Sequence, residues 1–226
     1  MGELKLVAVT AGLGKPSSTR LLTDRLVAGV TGHLGAAAPA RVRVVELRDL
    51  AVDIANNLVS GWPSKALGEA LEAVSDADAL IAVTPVFAGS YSGLFKSFFD
   101  LLDPEALTGT PVLLAATGGT ARHSLVVEHA LRPLFSYLHA LTLPTAVFAA
   151  TDDWGAAADT HAGGLPARID RAGREFAALL TPSDPGAPGP TAGPGAETEQ
   201  HHETEPGAEA ESDLEVIPFE RLLSGS

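Results

Sequence analysis

Apolar residues recur along the chain in two rhythms: short unbroken runs, and longer stretches in which they return every third or fourth position. Leu4-Lys5-Leu6-Val7-Ala8-Val9-Thr10 is a run of the first kind and predicts a strand. From Thr19 to about Leu34 the apolar positions Leu21, Leu22, Leu26 and Val30 fall at helical spacing. Arg41 to Leu47 alternates before turning apolar, as an edge or near-edge strand does. Leu50 to Ser64 shows neither rhythm and is read as irregular. Lys65 to Val74 carries Leu67, Leu71 and Val74 on one helical face, and Ala79-Leu80-Ile81-Ala82-Val83 is a strand buried on both sides.

The second half repeats the pattern. A helix beginning near Ser92 carries Phe95, Phe98, Phe99, Leu101 and Leu102, apolar around more of its circumference than one sheet covers, so it faces either a subunit or a thick core. Thr110 to Ala116 is a fourth strand. A helix from Ala121 carries Leu125, Val126, His129 and Leu131, is interrupted at Arg132-Pro133 and resumes through Leu138. Leu143 to Ala150 is a fifth strand, at an edge because of Pro144. A polar loop spans Thr151 to Gly164, and Leu165 to Leu180 is the closing helix. Five strands alternating with helices predict an α/β fold, a doubly wound parallel sheet of flavodoxin type with strand order 2-1-3-4-5.

Composition changes the picture mainly at the end of the chain. Residues 1–180 can bury one core and form the domain, whereas 181–212 are Pro, Gly, Glu and Thr with almost nothing apolar, a linker expected to be disordered. Residues 213–226 turn apolar again at Leu214-Glu215-Val216-Ile217-Pro218-Phe219 and read as a docking segment. Of the formal net charge of -13, -9 falls after residue 180, leaving -4 on the body. The body has no basic stripe, which argues against nucleic acid. No run approaches the ~18 apolar residues of a membrane span. There is no cysteine, hence no disulfide, thiolate metal site or cysteine nucleophile, and a cytoplasmic location is expected.

Three loops of unusual composition follow strands one, three and four, at the sheet edge where such folds bind ligands. The first, Ala11 to Arg20, ends in Ser17-Ser18-Thr19 at the start of a helix, where unpaired amides and the dipole suit a dianionic phosphate; one hydroxyl alone would suffice as an N-cap. A P-loop fails because Val9 and Pro16 stand where Gly and Ser or Thr are needed. The dinucleotide fingerprint fails at Ser17, where its third Gly belongs. A terminal monophosphate fits best. The second loop, Thr84 to Lys96, contains Pro85, Gly89 and Gly93, and the third is Thr117-Gly118-Gly119-Thr120. Gly89-Ser-Tyr-Ser-Gly93 has the outline of a nucleophile elbow, but Tyr91 holds its centre, so no hydrolase and no catalytic side chain is assigned. His201 and His202 lack a spaced third ligand, and no metal is expected.

Thr10 to Arg20, Thr84 to Lys96, Ala116 to His123 and Leu131-Arg-Pro-Leu-Phe135 together resemble the NADPH-dependent FMN reductases, in particular the group found alongside luciferase-like flavin monooxygenases. The resemblance implies FMN bound with its phosphate at Ser17, Ser18 and Thr19, in a loop that Thr10 opens. It implies Pro85, Val86, Phe87 and Ala88 beside the flavin ring and Thr117, Gly118 and Gly119 at its other edge. Tyr91 is then a flavin or nicotinamide contact or a half-buried aromatic beside the loop, and His123 a flavin neighbour or a helix cap. Arg20 is a phosphate contact or a solvated first-turn residue, Lys96 an interface or surface charge, and His129 and His139 helix-face residues.

The chemistry implied is hydride transfer from NADPH or NADH to flavin N5, with the Gly118 and Gly119 amides facing the charge that develops near N1 and O2. Reduced FMN would pass to a partner flavin-dependent monooxygenase, and assembly as a homodimer or homotetramer is implied. A quinone or azo reductase and, less favoured, a flavodoxin-type electron carrier are the alternatives.

Overall fold

The computed structural model describes residues 3–35, 38–154 and 164–181. β1 (Leu4–Thr10) leads into α1 (Ser18–Leu34), and β2 (Ala40–Glu46) pairs parallel to β1 as the sheet edge. A 3₁₀ turn, Leu47–Leu50, then runs into α2 (Ala51–Ser60). This helix replaces the irregular segment expected over Leu50 to Ser64. Its apolar residues share one broad side, of which Ile54 is buried while Val52 and Val59 at the margin are exposed, and it stops where Gly61 takes φ +75.

α3 (Lys65–Ser75), capped by Ser64, precedes the central β3 (Ala79–Phe87), which pairs parallel with β1. β3 runs four residues beyond the expected strand end at Val83, and β4 (Ser90–Tyr91) folds back antiparallel on its tip. α4 (Gly93–Phe99) starts from Ser92, whose Oγ accepts from the Phe95 amide at 3.1 Å. β5 (Pro111–Gly118) pairs parallel to β3. After it come a 3₁₀ turn at Ala121–His123, a π-helical turn at Val127–Leu131 and α5 (Arg132–Tyr137). Pro133 therefore stands in the first turn of α5 and does not interrupt a helix already running from Ala121. The π-helical turn runs straight into α5 through αR residues Leu131 and Arg132, so the proline's irregularity falls at this junction.

The fifth strand is split around Pro144 into β6 (Leu141–Thr142) and β7 (Val147–Ala150), both parallel to β5, and α6 (Gly164–Leu180) closes the domain. Counting β6 and β7 as one position gives five parallel positions in the expected flavodoxin-type order, with β2 and β6/β7 at the edges. Residues 155–163 of the expected polar loop lie outside the described residues. So do residues 182–226, which hold His201, His202, the expected linker from its second residue and the terminal segment.

Alternation along the parallel strands sends side chains to two cores. Leu6, Ala8, Ile81, Val83, Leu113 and Ala115 pack against α1 and α6. Val7, Val9, Leu80, Ala82 and Leu114 pack against α2 to α5. In this second core Phe95, Phe98, Phe99 and Phe135 are fully buried, with ring centroids 4.6 Å apart for Phe95–Phe99 and 5.0 Å for Phe99–Phe135. The apolar girth of α4 is thus a thick core. Lys96 pairs with Asp100 as a surface charge, and His139 follows α5 at φ +56 beside Glu105 and does not stand on a helix face.

α1 and α6 cross where Gly173 meets Gly29. A Cβ at Gly173 would stand 2.8 Å from the Gly29 carbonyl carbon and 3.1 Å from the Val30 nitrogen, both backbone atoms that cannot rotate aside. Gly173→Ala should therefore lower stability by about 1–2 kcal/mol even after the ~1 kcal/mol gain in helix propensity. Thermal unfolding should show a Tm reduced by about 2–8 °C. An unchanged or raised Tm would mean that the two helices separate without cost.

Candidate functional site

The first loop begins where Ala11 N donates to Val83 O at 3.0 Å, extending the β1–β3 ladder one step past the strand. Gly12 follows because nothing larger fits: a Cβ there would stand 2.1 Å from Ser17 Oγ and 3.0 Å from Thr19 Cβ. Ser17 Oγ accepts from Arg20 N at 3.2 Å and so N-caps α1. Thr19 Oγ1 lies 2.8 Å from Thr117 Oγ1, a buried bridge to the loop after β5. Ser18 is exposed. The three hydroxyls thus divide their work: Ser17 keeps its proton free to donate while capping, Thr19 ties two loops together, and Ser18 faces outward.

The second wall is a hairpin. Val86 pairs with Tyr91 and Phe87 with Ser90, leaving Ala88 (φ 48) and Gly89 (φ 80) as the two central residues, both left-handed as a type I′ turn requires. Ala88 holds that conformation at a cost of about 1–2 kcal/mol. Buried Thr84 anchors the base, its Oγ1 accepting from Ser92 N and donating to Pro85 O, each at 3.0 Å. In the third wall Gly118 lies on Phe148, whose Cζ would be 2.8 Å from any Cβ at that position.

These walls enclose a cavity of about 280 Å³ at the carboxyl ends of β1, β3 and β5. Ser17, Ser18, Thr19, Pro85, Val86, Phe87, Thr117, Gly118 and Gly119 line it. Thr10, Ala88, Tyr91 and His123 stand outside the lining. Thr10 ends β1 with its Oγ1 buried and unpartnered among the described residues. Ala88 is at the hairpin tip, Tyr91 packs on Phe95 at 6.1 Å, and His123 is an exposed residue of the 3₁₀ turn beside Gly118. Leu13, Gly14, Pro16 and Thr151 also line the cavity. The first three lie inside the loop already singled out. Thr151 follows β7, where the rule that found the other loops would have led.

Among the described residues no lining residue is ionisable. The nearest charged group with a resolved perturbation is Arg20, whose pKa is raised by its hydrogen bond to Asp24, at 2.8 Å, and then by Glu46. Arg20 pairs with two carboxylates, Asp24 and Glu46, while about a third of its side chain (34%) stays exposed. Among the described residues no group of His, Asp and Glu could hold a metal ion, and no helix is long and apolar enough to cross a membrane.

Residues 4–155 match the family model described as NADPH-dependent FMN reductase, a span that includes all three walls. The chain belongs to the NADPH-dependent FMN reductase family. Over 150 residues it is 47% identical to an FMN reductase (NADPH) of Pseudomonas aeruginosa, covering 66% of this chain and 78% of that one. Over 151 residues it is 46% identical to the NADH-dependent FMN reductase SfnF of Pseudomonas fluorescens, covering 67% and 79%. An oxidoreductase from Corynebacterium diphtheriae of known structure superposes with a TM-score of 0.74 at 44% identity, over 80% of this chain and 98% of that one. Of these two curated relatives one is named for NADPH and the other for NADH.

Proposed function

We propose that this chain reduces FMN with a nicotinamide nucleotide and supplies the reduced flavin to a flavin-dependent monooxygenase. The observation that carries the reading is the composition of the cavity wall. Hydroxyls and a helix N-terminus stand at one end, backbone and apolar surface along the rest, and among the described residues nothing ionisable lines it to act as acid or base. Such a wall suits a reaction whose difficult step belongs to a flavin, which when bound accepts the hydride.

The residues present fit FMN. The crowding of Gly12 against Ser17 leaves a close backbone cradle at the start of α1, where Ser17, Ser18 and the first free amides would hold the phosphate. Pro85, Val86 and Phe87 offer a flat, largely apolar strand tip against which a ring can lie. Gly118 and Gly119 bring main-chain amides to the opposite edge, the place to stabilise charge developing near N1 and O2. Thr10, Ala88, Tyr91 and His123 then support these walls from behind or flank the open side where the nicotinamide enters. Residues 1–180 form the catalytic domain in this reading, consistent with the family match. Assembly into a dimer or tetramer belongs to the same reading; exposed Val59 (91%) and Trp62 (82%) on and after α2 are apolar surface available for it.

Steady-state NADPH and NADH oxidation by the desalted protein, with FMN varied from none to saturating and a quinone control, tests the proposal. Turnover that titrates with added FMN supports it. Quinone reduction without added FMN would replace it by the quinone reductase reading, and no turnover with either acceptor would overturn it.

A further inference from the structure

Beside the cavity lies an ionic cluster that takes no part in its lining. Glu46, the last residue of β2, extends one carboxylate oxygen to Arg20 in the first turn of α1 and the other to Arg48 Nη2 at 2.8 Å. Arg48 belongs to the 3₁₀ turn directly after β2 and turns its second terminal nitrogen outward, Nη1 donating to Gly14 O at 2.7 Å. Among the described residues this is the one hydrogen bond that reaches residues 12–16 from another element. The remaining nitrogen, Nε, is buried and stands 3.5 Å from Asp49 Oδ1 without a hydrogen bond.

We infer that Arg48, held by Glu46, is a positioning residue that sets the first loop at the height where its hydroxyls and amides meet a phosphate; this rests on the FMN reading of the cavity. Three features argue for it. A loop with no regular structure would otherwise lose ordering entropy each time it closed on a ligand, so a preformed loop binds more tightly. The arginine fork is suited to the task, because one rigid plane reaches a carboxylate and a carbonyl at once and fixes the distance between them. The cluster is also poorly suited to being a phosphate ligand itself, since Asp24, Glu46 and Asp49 surround the two guanidinium groups with negative charge and the terminal nitrogens of Arg48 are taken by Glu46 and Gly14 O.

Riboflavin, which has the flavin ring and lacks the phosphate, separates positioning from general damage. The test compares apparent KM and kcat for FMN and riboflavin in the wild-type protein, Arg48→Ala, Arg48→Lys and Glu46→Gln, with thermal unfolding as control. Arg48→Ala should raise KM for FMN by about tenfold while kcat and the riboflavin KM stay within about twofold. Arg48→Lys, which retains a donor but cannot fork, should fall between, and Glu46→Gln should resemble Arg48→Ala and serves in its place should that variant not fold. Equal losses for FMN and riboflavin, or no change for FMN, would overturn the role of Arg48. A wild-type protein that fails to prefer FMN over riboflavin would overturn the phosphate reading beneath it.

Discussion

Gly12→Ala is expected to weaken FMN binding by about 10- to 100-fold while leaving riboflavin nearly unaffected. The methyl group would arrive 2.1 Å from Ser17 Oγ, 3.2 Å from Ser17 Cβ and 3.0 Å from Thr19 Cβ. Rotation of the Ser17 hydroxyl relieves the first contact only, and it removes the cap on Arg20 N, at a cost of about 1 kcal/mol to α1. The other two contacts require the loop to move away from the helix start. With it goes at least one charge-assisted hydrogen bond to the phosphate, worth about 1.5–3 kcal/mol, and hence the expected fold-change. Flavin fluorescence quenching titrated with FMN and with riboflavin measures both constants. Unchanged FMN binding would show that the phosphate does not sit at this loop, and Ser17→Ala would then be silent too.

Phe135→Ala should be strongly destabilising to the larger core, at about 3–5 kcal/mol. The ring is fully buried, 5.0 Å from Phe99 and 6.2 Å from Phe95, and these neighbours belong to a different helix that cannot follow it inward. The loss combines transfer of a large apolar side chain, its edge-to-face contacts and the residual cavity. A Tm lower by about 6–20 °C follows for a domain of this size. Phe135→Leu, which keeps most of the volume, should cost less than half as much. Denaturant unfolding that finds a loss below about 1 kcal/mol for the alanine variant would mean that α5 repacks onto the sheet.

The ligand edge was legible because each wall carries its own local signature. Hydroxyls at a helix start, glycines after a buried strand and a proline beside them are all chemistry that one strand-to-helix turn displays by itself. The residues that escaped reading depend on partners distant in sequence. Arg48 gives no sign in its own segment that it holds Gly14, and Thr19 gives none that its hydroxyl is spent on Thr117, 98 positions away. Thr84 likewise looks like the end of a strand until Ser92 donates to it. α2 was missed although its polar residues Asp53, Asn56, Asn57 and Ser60 gather on one side of the helix, opposite Ile54, Leu58, Val52 and Val59.

The sequence by itself determined the alternation of buried strands and covering helices, and with it the flavodoxin-type strand order. It also determined that three ligand loops share one edge, because runs without polar alternation must be covered on both faces and right-handed crossovers bring successive loops to the same end. Only the tertiary structure decided how those loops are held. It made Pro85 to Phe87 a strand tip and not a loop, since β4 pairs with it antiparallel. It divided the three hydroxyls between capping, bridging and exposure, and it paired Arg20 with Asp24 and Glu46. The physical reason is the range of the forces: hydrophobic period and turn chemistry act between neighbours in the chain, whereas a hydrogen bond between loops exists only after the sheet has set the distance between them.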